Sequence, residues 1–466
     1  MTIERTTAKP APEAGVSLRS LTIGMCMTTV AIAFEAIAVA TAMPVAARDL
    51  DGLPYYAWCF SLFVIGMLFA TVVAGRLSDR IGPAKPLLVG LAIFAVGLVV
   101  SGTAEHMAQL IAGRLVQGLG SGAMNTAMLV VIAQAYPARQ RPRLILLIST
   151  AWVLPSFLGP PVSAWLTNAL SWHWVFIAIL PLVAVGGGMA LPTVLTLIRT
   201  YEPIPPDGTP VAKPAALWAA GLVAAGAAAI QLAGQRLDRW SIALLVGGLA
   251  GLVVGLPRLM PPGFLRLRRG LSAVILVRGL LPGAYFGAET FIPLMLVEQR
   301  HVRLVLAGAV LTVGAVGWTA GSWLQSRPWV RVRRDRLITY GCLCIVIGLC
   351  LVAVTAAFSS LSYGLVGVGW VFAGLGMGLS ISSSSLAVMT LSELAIQGRN
   401  ASSLNLFDAL GTGIFVGAAG TVFAALRPTG NLALTFGVLV SAMVLVAILA
   451  VVSSLRIGSV RNEFDR

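Results

Sequence analysis

The sequence predicts an all-α polytopic membrane protein in which two six-helix bundles are joined by two extra transmembrane helices. Three observations predict it: the composition, the spacing of the apolar runs, and the alternation of charge between those runs. Of 466 residues, 58% are apolar and only 11% are charged, and the mean hydropathy is +0.91. A soluble domain carries roughly 45–50% apolar and about 25% charged residues. A chain this apolar could not cover itself with polar surface in water. Disorder requires low hydrophobicity and is excluded too. The five cysteines (Cys26, Cys59, Cys342, Cys344 and Cys350) all lie inside apolar runs without a pairing pattern, so they read as small core hydrophobes rather than a disulfide framework.

A helical span needs about 20 mostly apolar residues. Such stretches lie at 21–44, 56–75, 85–103, 107–135, 144–168 and 173–198. A polar, proline-rich break follows at 199–214. Two Ala/Gly/Leu-rich spans come next, at 215–234 and 240–257, then a basic break at 258–270. Six more spans lie at 271–297, 304–326, 337–357, 362–390, 400–425 and 431–455. The expected organisation is therefore a cytoplasmic tail (1–20), a six-helix bundle (21–198), a linker with two additional transmembrane helices (199–270), a second six-helix bundle (271–455) and a cytoplasmic tail (456–466). The first residues, MTIERTTAKPAPEAG, lack a short apolar core followed by a small-residue cleavage site, so no signal peptide is expected.

The charges give an independent check on fourteen spans. The net charge is +15, from 32 basic against 17 acidic residues. With the N-terminus inside, 24 basic residues fall on inner segments, six on outer loops, and only Arg114 and Arg278 within spans. Excess Arg and Lys marks cytoplasmic loops, and one missed helix would scramble this alternation. Both termini are expected in the cytoplasm, with the chain in the cell's inner (plasma) membrane. The basic balance is then a by-product of topology, and no nucleic-acid partner is expected.

Ionisable side chains are expensive inside hydrocarbon and are functional candidates by default. Five fall within spans: Glu35 in the first, Arg114 in the fourth, Arg278 and Glu289 in the ninth, and Asp408 in the thirteenth. Glu35 lies ~15 Å from the outer end of its span and Arg114 ~10 Å from the outer start of its own, at 1.5 Å per residue. The two could therefore meet across the outer half of the first bundle. Arg278 and Glu289 are eleven positions apart, close to three full turns, so they share a face but lie ~16 Å apart along the axis. That arrangement suits a cavity wall better than a lipid-facing surface.

Several motifs at these positions resemble the major facilitator superfamily, in particular its fourteen-span drug:proton antiporter branch. GRLSDRIGPAKP (75–86) resembles the signature G-x-L-x-D-R-x-G-R-[RK] through Gly75, Leu77, Asp79, Arg80 and Gly82, with Pro83 and Ala84 in place of the two basic residues. Its glycines permit a tight turn, and its Asp can cap a neighbouring helix or pair with an Arg. LIAGRLVQGLGSGAMN (110–125) resembles L-x-x-x-R-x-x-Q-G-x-G through Leu110, Arg114, Gln117, Gly118 and Gly120. FLGPPVSA (157–164) is similar to the antiporter motif G-P-x-x-G-G through Gly159 and Pro160, with Ser163 and Ala164 for the glycine pair. FEAIAVATAMP (34–44) resembles L-D-x-T-x-V-N-x-A-L-P, with Glu35 at the acidic position. SWHWVFIAILP (171–181) resembles the opening W-R-W-x-F-x-x-N-x-P of span six, with His173 for the Arg. The motifs cover mainly residues 30–181. In the second half, GSWLQSRPWVRVRRDR (321–336) occupies the place of the repeated loop signature but has Gln325 at its Asp. The serines of SISSSS (380–385) read as helix-packing material, with a polar cavity wall as the alternative.

The resemblance implies a proton-coupled secondary transporter working by alternating access, with proton coupling at Glu35, Arg114, Glu289 and Asp408. Gly75, Asp79, Arg80, Gly82, Gly159 and Pro160 would serve conformational gating. The substrate cavity is expected to include Gln117, Asn125, Trp152, Arg278, Tyr285 and Phe286. No G-x-x-x-x-G-K-[ST] loop and no His/Cys/Asp metal cluster occurs, so no catalysis, cofactor or metal is expected. The expected partners are protons, the lipid bilayer and a hydrophobic or amphipathic small molecule exported as in multidrug efflux, with the protein a monomer. Export of a lipid or endogenous metabolite is the alternative, and uptake of a polar nutrient a further one.

Overall fold

The computed structural model describes residues 18–137, 140–199, 217–236, 239–261, 263–266, 268–393 and 397–460. The expected tails (1–20 and 456–466) and the break at 199–214 fall largely outside these. The first six spans are built from α1 (Leu18–Asp49), α2 (Trp58–Ile81), α3 (Ala84–Gly102), α4 (Met107–Ala135), α5 (Arg141–Thr150), α6 (Val153–Ala169), α7 (Trp174–Ile177) and α8 (Leu180–Arg199). Two long helices follow, α9 (Leu217–Arg236) and α10 (Arg239–Leu259). The last six spans comprise α11 (Leu271–Glu289), α12 (Ile292–Glu298), α13 (Leu304–Gln325), α14 (Arg334–Ala357), α15 (Gly364–Leu391), α16 (Gln397–Leu426) and α17 (Leu432–Ser454).

Thirteen helical stretches among the described residues are long and apolar enough to cross a membrane. The fifth expected span, 144–168, is instead made of α5 and α6, separated at Ala151 and Trp152. It still crosses. Tyr136 donates a hydrogen bond to the Leu18 carbonyl (3.1 Å), which places it at the start of α1. Trp172 donates to Asp49 (3.0 Å), at the far end of the same helix. The chain between them must therefore pass from one face to the other, and fourteen crossings result. The ends of α1 define the faces used below: proximal at Leu18, distal at Asp49.

The interruptions in spans five, six and nine share one cause. Proline lacks an N–H, and its ring clashes with the carbonyl four residues back. Pro155, Pro181 and Pro293 put that clash at Ala151, Ile177 and Glu289, where α5, α7 and α11 end or have just ended. The loop signature differs from expectation in the same local way. Gly75 through Ile81 continue α2 as helix, so Gly75 makes no turn. The reversal is confined to Gly82 and Pro83, and Gly82 adopts φ +80°, a backbone state open to glycine at little cost.

Packing follows the pattern expected of two bundles. In the first, α4 packs on α2 and α3, and α1 on α6 and α8; in the second, α15 packs on α13 and α14, and α11 on α16 and α17. Between them, α2 meets α16 and α6 meets α13. Helix α9 lies against both α2 and α16, whereas α10 packs mainly on α9. Two hydrogen bonds that join the first bundle to the second are distal: the Arg48–Glu298 pair and Tyr56 donating to the Thr290 carbonyl at 2.8 Å. Tyr56 also packs on Phe291, with ring centroids 5.3 Å apart.

Candidate functional site

Glycines set the first cluster. Gly97 on α3 faces Gln117 on α4 so closely that an added Cβ would sit 2.6 Å from the Gln117 backbone nitrogen, and Gly113 is pressed in the same way on Ser101. This contact lets Gln117 donate to the Gly97 carbonyl and to the Ser101 hydroxyl, both at 3.1 Å. Its side-chain oxygen then accepts from Arg114 Nη1 at 2.6 Å. Arg114 Nε donates to the Cys59 carbonyl on α2 at 2.8 Å, and its guanidinium lies 4.4 Å from the centre of the Phe63 ring. Arg114 forms an ion pair with Glu35 on α1. The Arg114 side chain is 2% exposed and that of Glu35 0%. Three helices of the bundle are thus tied to a fourth through one guanidinium. Arg114 is the sole charged partner of Glu35 among the described residues. Gln117, expected in the substrate cavity, is fully buried as a prop for Arg114.

The second cluster lies on α11, α15 and α16. Here too glycines permit the approach: a Cβ on Gly411 would sit 2.1 Å from the Gly279 carbonyl oxygen. The backbones of α11 and α16 therefore touch, one turn from Asp408. Arg278 Nε donates to Asp408 Oδ2 at 2.8 Å. Its Nη1 reaches the Ile381 carbonyl (2.7 Å), Ser384 (2.9 Å) and Ser385 (3.2 Å) on α15. The serines expected as packing material therefore hold this Arg. Sequence reasoning noted that Arg278 and Glu289 share a face but missed the Asp408 partner, because pairing between α11 and α16 depends on how the helices are arranged. The repeated Gly at 279 and 411 was the available signal.

Glu289 ends α11, half-buried, with no hydrogen bond or ion pair among the described residues. Four residues earlier, Tyr285 is buried and stacks on Trp370 with centroids 4.5 Å apart, while Trp318 meets it edge-on at 5.7 Å. Phe286 is half-buried against the same Trp318. The other expected site residues are more dispersed. Asn125 is half-buried on α4, and Trp152 is 37% exposed at the α5–α6 break. Gly159 and Pro160 lie where α6 meets α1 and α13: Ser163 donates to the Ala38 carbonyl at 2.6 Å, and a Cβ on Gly308 would touch Pro160 at 3.3 Å. Asp79 and Arg80 are exposed at the proximal end of α2. Gln325, which stands in the second-half loop for the signature Asp, accepts from Arg334 at 2.6 Å. His173 lies on the Trp172 ring, hydrogen-bonded to Ser171 and Ala104. No group of three or more His, Cys, Asp or Glu side chains could hold a metal among the described residues.

Comparison with known proteins places this architecture. Multidrug resistance protein 3 of Bacillus subtilis is 30% identical over 200 residues, 43% of this chain and 37% of that protein. The acurin A biosynthesis cluster MFS-type transporter of Aspergillus aculeatus is 29% identical over 192 residues, 41% of this chain and 34% of that protein. The matched stretch thus spans about a third of the length of these relatives. Among solved structures, a peptide transporter POT in complex with sulfate aligns with a TM-score of 0.69 at 15% identity, covering 96% of this chain and 97% of that one. A bacterial homolog of the human lysosomal transporter Spinster, inward-facing and unoccupied, aligns at 0.62 and 14%, covering 94% and 95%. At these identities the likeness concerns the fold. The Major Facilitator Superfamily profile matches residues 24–416, most of the chain: the protein is a multi-pass membrane protein belonging to the major facilitator superfamily.

Proposed function

We propose that the protein is a proton-coupled secondary exporter of hydrophobic or amphipathic small molecules, of the fourteen-span drug:proton antiporter type, working by alternating access. The observation that carries this reading is the sealed Glu35–Arg114 pair. A carboxylate and a guanidinium buried together are tolerable because each neutralises the other, and breaking such a pair leaves an uncompensated charge. Protonation of Glu35 would release Arg114 from α1, so one proton binding event changes what holds α1 to α4. That is the local two-state element a coupled transporter needs. Glu289 and Asp408 are the acids available for the same role in the second half. Similarity to proteins named as multidrug transporters and efflux pumps supports the outward direction and the substrate class.

In this reading the termini are cytoplasmic, the membrane is the cell's inner membrane, and the distal contacts of Arg48, Tyr56 and Glu298 are the closed outer gate. The bundles rock as units with boundaries near 21–198 and 271–455, and the α9–α10 pair bridges them. Asp79, Arg80 and Gly82 at the proximal turn, with Gly159 and Pro160 at the α1–α6 contact, belong to the switch.

The test is Glu35→Gln, which keeps the shape and removes the titration. In proteoliposomes, export of an amphipathic dye against its gradient should be lost while downhill exchange continues. Uphill export at unchanged proton stoichiometry would move the coupling to another acid, with Glu289 the next to substitute.

A further inference from the structure

Unlike the sealed pair in the first bundle, the Arg278–Asp408 pair is only partly closed. Asp408 engages the guanidinium through one oxygen and one nitrogen, Oδ2 and Nε, not the two-pronged contact of which both groups are capable. Nη2 of Arg278 makes no hydrogen bond among the described residues, nor does Oδ1 of Asp408, and neither atom is sealed from solvent. The Asp408 side chain is 26% exposed, against 0% for Glu35.

Two features show that this opening is built into the fold. The Ser384 and Ser385 hydroxyls donate to the Ile381 carbonyl, at 2.9 and 3.1 Å. Their lone pairs are thereby turned towards Nη1, which fixes the guanidinium from α15 through neutral acceptors alone. Arg278 therefore stays in place without relying on Asp408. On the other side, the Gly279–Gly411 backbone contact fixes the spacing of α11 and α16, so the backbone that carries Asp408 cannot move closer to Arg278 without that contact giving way. What remains is an unpartnered N–H donor on a cation beside an unpartnered oxygen on an anion, net charge zero, with no other charged side chain bonded to either among the described residues. Glu289 is ~16 Å further along α11 at 1.5 Å per residue.

We infer that the Arg278–Asp408 pair, held open by Ser384 and Ser385, is a headgroup site for amphipathic substrates that are zwitterionic, with the carboxylate or other anionic group on Arg278 Nη2 and the ammonium on Asp408 Oδ1. A buried charge without a partner is costly. A zwitterion satisfies both open atoms at once and leaves the site neutral. A simple cation is opposed by Arg278, and a simple anion by Asp408. The inference rests on the reading of the protein as an exporter of amphipaths and names the headgroup that such a substrate carries.

The experiment uses three ligands with one apolar body: Nε-dansyl-lysine, a zwitterion; its methyl ester, a cation; and its Nα-acetyl derivative, an anion. Binding to the full chain in lipid nanodiscs is read from dansyl fluorescence, so it is scored independently of export. The wild type should bind the zwitterion at least ten-fold more tightly than either relative. Arg278→Gln should abolish the discrimination against the ester, and Asp408→Asn that against the acetylated form, in each case by weakening zwitterion binding. The near-isosteric Asp408→Asn keeps the test decisive if Arg278→Gln fails to fold. Ester binding as tight as zwitterion binding in the wild type, no measurable zwitterion binding, or equal loss of all three ligands in Asp408→Asn would each overturn the site. Failure of export with discrimination intact would count against the exporter reading alone.

Discussion

Arg114 has acceptors on three sides: Cys59 on α2, Gln117 on its own helix and Glu35 on α1. Removing one partner of a buried pair costs about 3–5 kcal/mol because the other charge is left alone, whereas replacing both with apolar groups is far milder. Arg114→Met should therefore lower stability by about that amount, while Glu35→Met with Arg114→Met should recover most of it. Thermal unfolding of the purified protein in detergent checks this, and a double variant no more stable than the single one would argue that packing, not charge, dominates. The Cys59 carbonyl, to which Arg114 donates, is a lesser loss, worth roughly a single hydrogen bond to a charged group, ~1.5–3 kcal/mol at most. Helix rise alone already placed Glu35 and Arg114, ~15 and ~10 Å from the outer ends of their spans, where they could meet across the outer half of the first bundle. Arg278 could not be treated in this way, because Asp408 and Ser384 reach it from helices whose order around α11 no periodicity encodes.

At the scale of the element, glycine and proline decide most of what the apolar pattern leaves open. Glycine within a helix is about 1 kcal/mol less favourable than alanine, so a Gly→Ala change in open space should stabilise. Gly367 on α15 has nothing within 4 Å of an added Cβ, whereas on Gly411 that Cβ would lie 2.1 Å from the Gly279 carbonyl. Gly367→Ala should therefore be neutral or stabilising by up to about 1 kcal/mol. Gly411→Ala should instead destabilise by about 1–3 kcal/mol, the usual cost of overpacking, and move Asp408 relative to Arg278. Unfolding midpoints of the two variants, compared with the parent, give the signs directly. A stabilised Gly411→Ala protein would mean that α11 and α16 are not in backbone contact.

For the whole molecule, the proposed alternating access requires the distal contacts to break and re-form. Arg48–Glu298 is a partly exposed pair, and such pairs contribute only about 0–1 kcal/mol, so it suits a gate that opens readily. Glu298→Gln should raise the open-distal population by no more than a few-fold. The accessibility of a cysteine introduced beside Tyr56 would report it, and a change of a hundred-fold or more would show that this pair dominates the gate. Orientation is tested separately. Glu105 and Arg331 are exposed on the distal and proximal faces respectively. Glu105→Cys should react with a membrane-impermeant maleimide in intact cells, and Arg331→Cys only after lysis. The reverse pattern would invert the topology, and with it the direction of export.

The sequence by itself determined the membrane class, the number of crossings and most helix limits; the fourth span, 107–135, coincides with α4. These depend on local quantities: the length of an apolar run, the placement of basic loops, and the fixed rise of a helix. Even the breaks in spans five, six and nine were encoded four residues ahead of them, in Pro155, Pro181 and Pro293, although the apolar runs continue across them. Beyond the Glu35–Arg114 pair, only the tertiary structure decided which polar groups meet. It made Gln117 a buried prop, paired Arg278 with Asp408 and two serines, and left Glu289 half-buried without a partner. Such contacts are set by which helices adjoin and by how closely glycines let them approach, and neither is a property of any one segment.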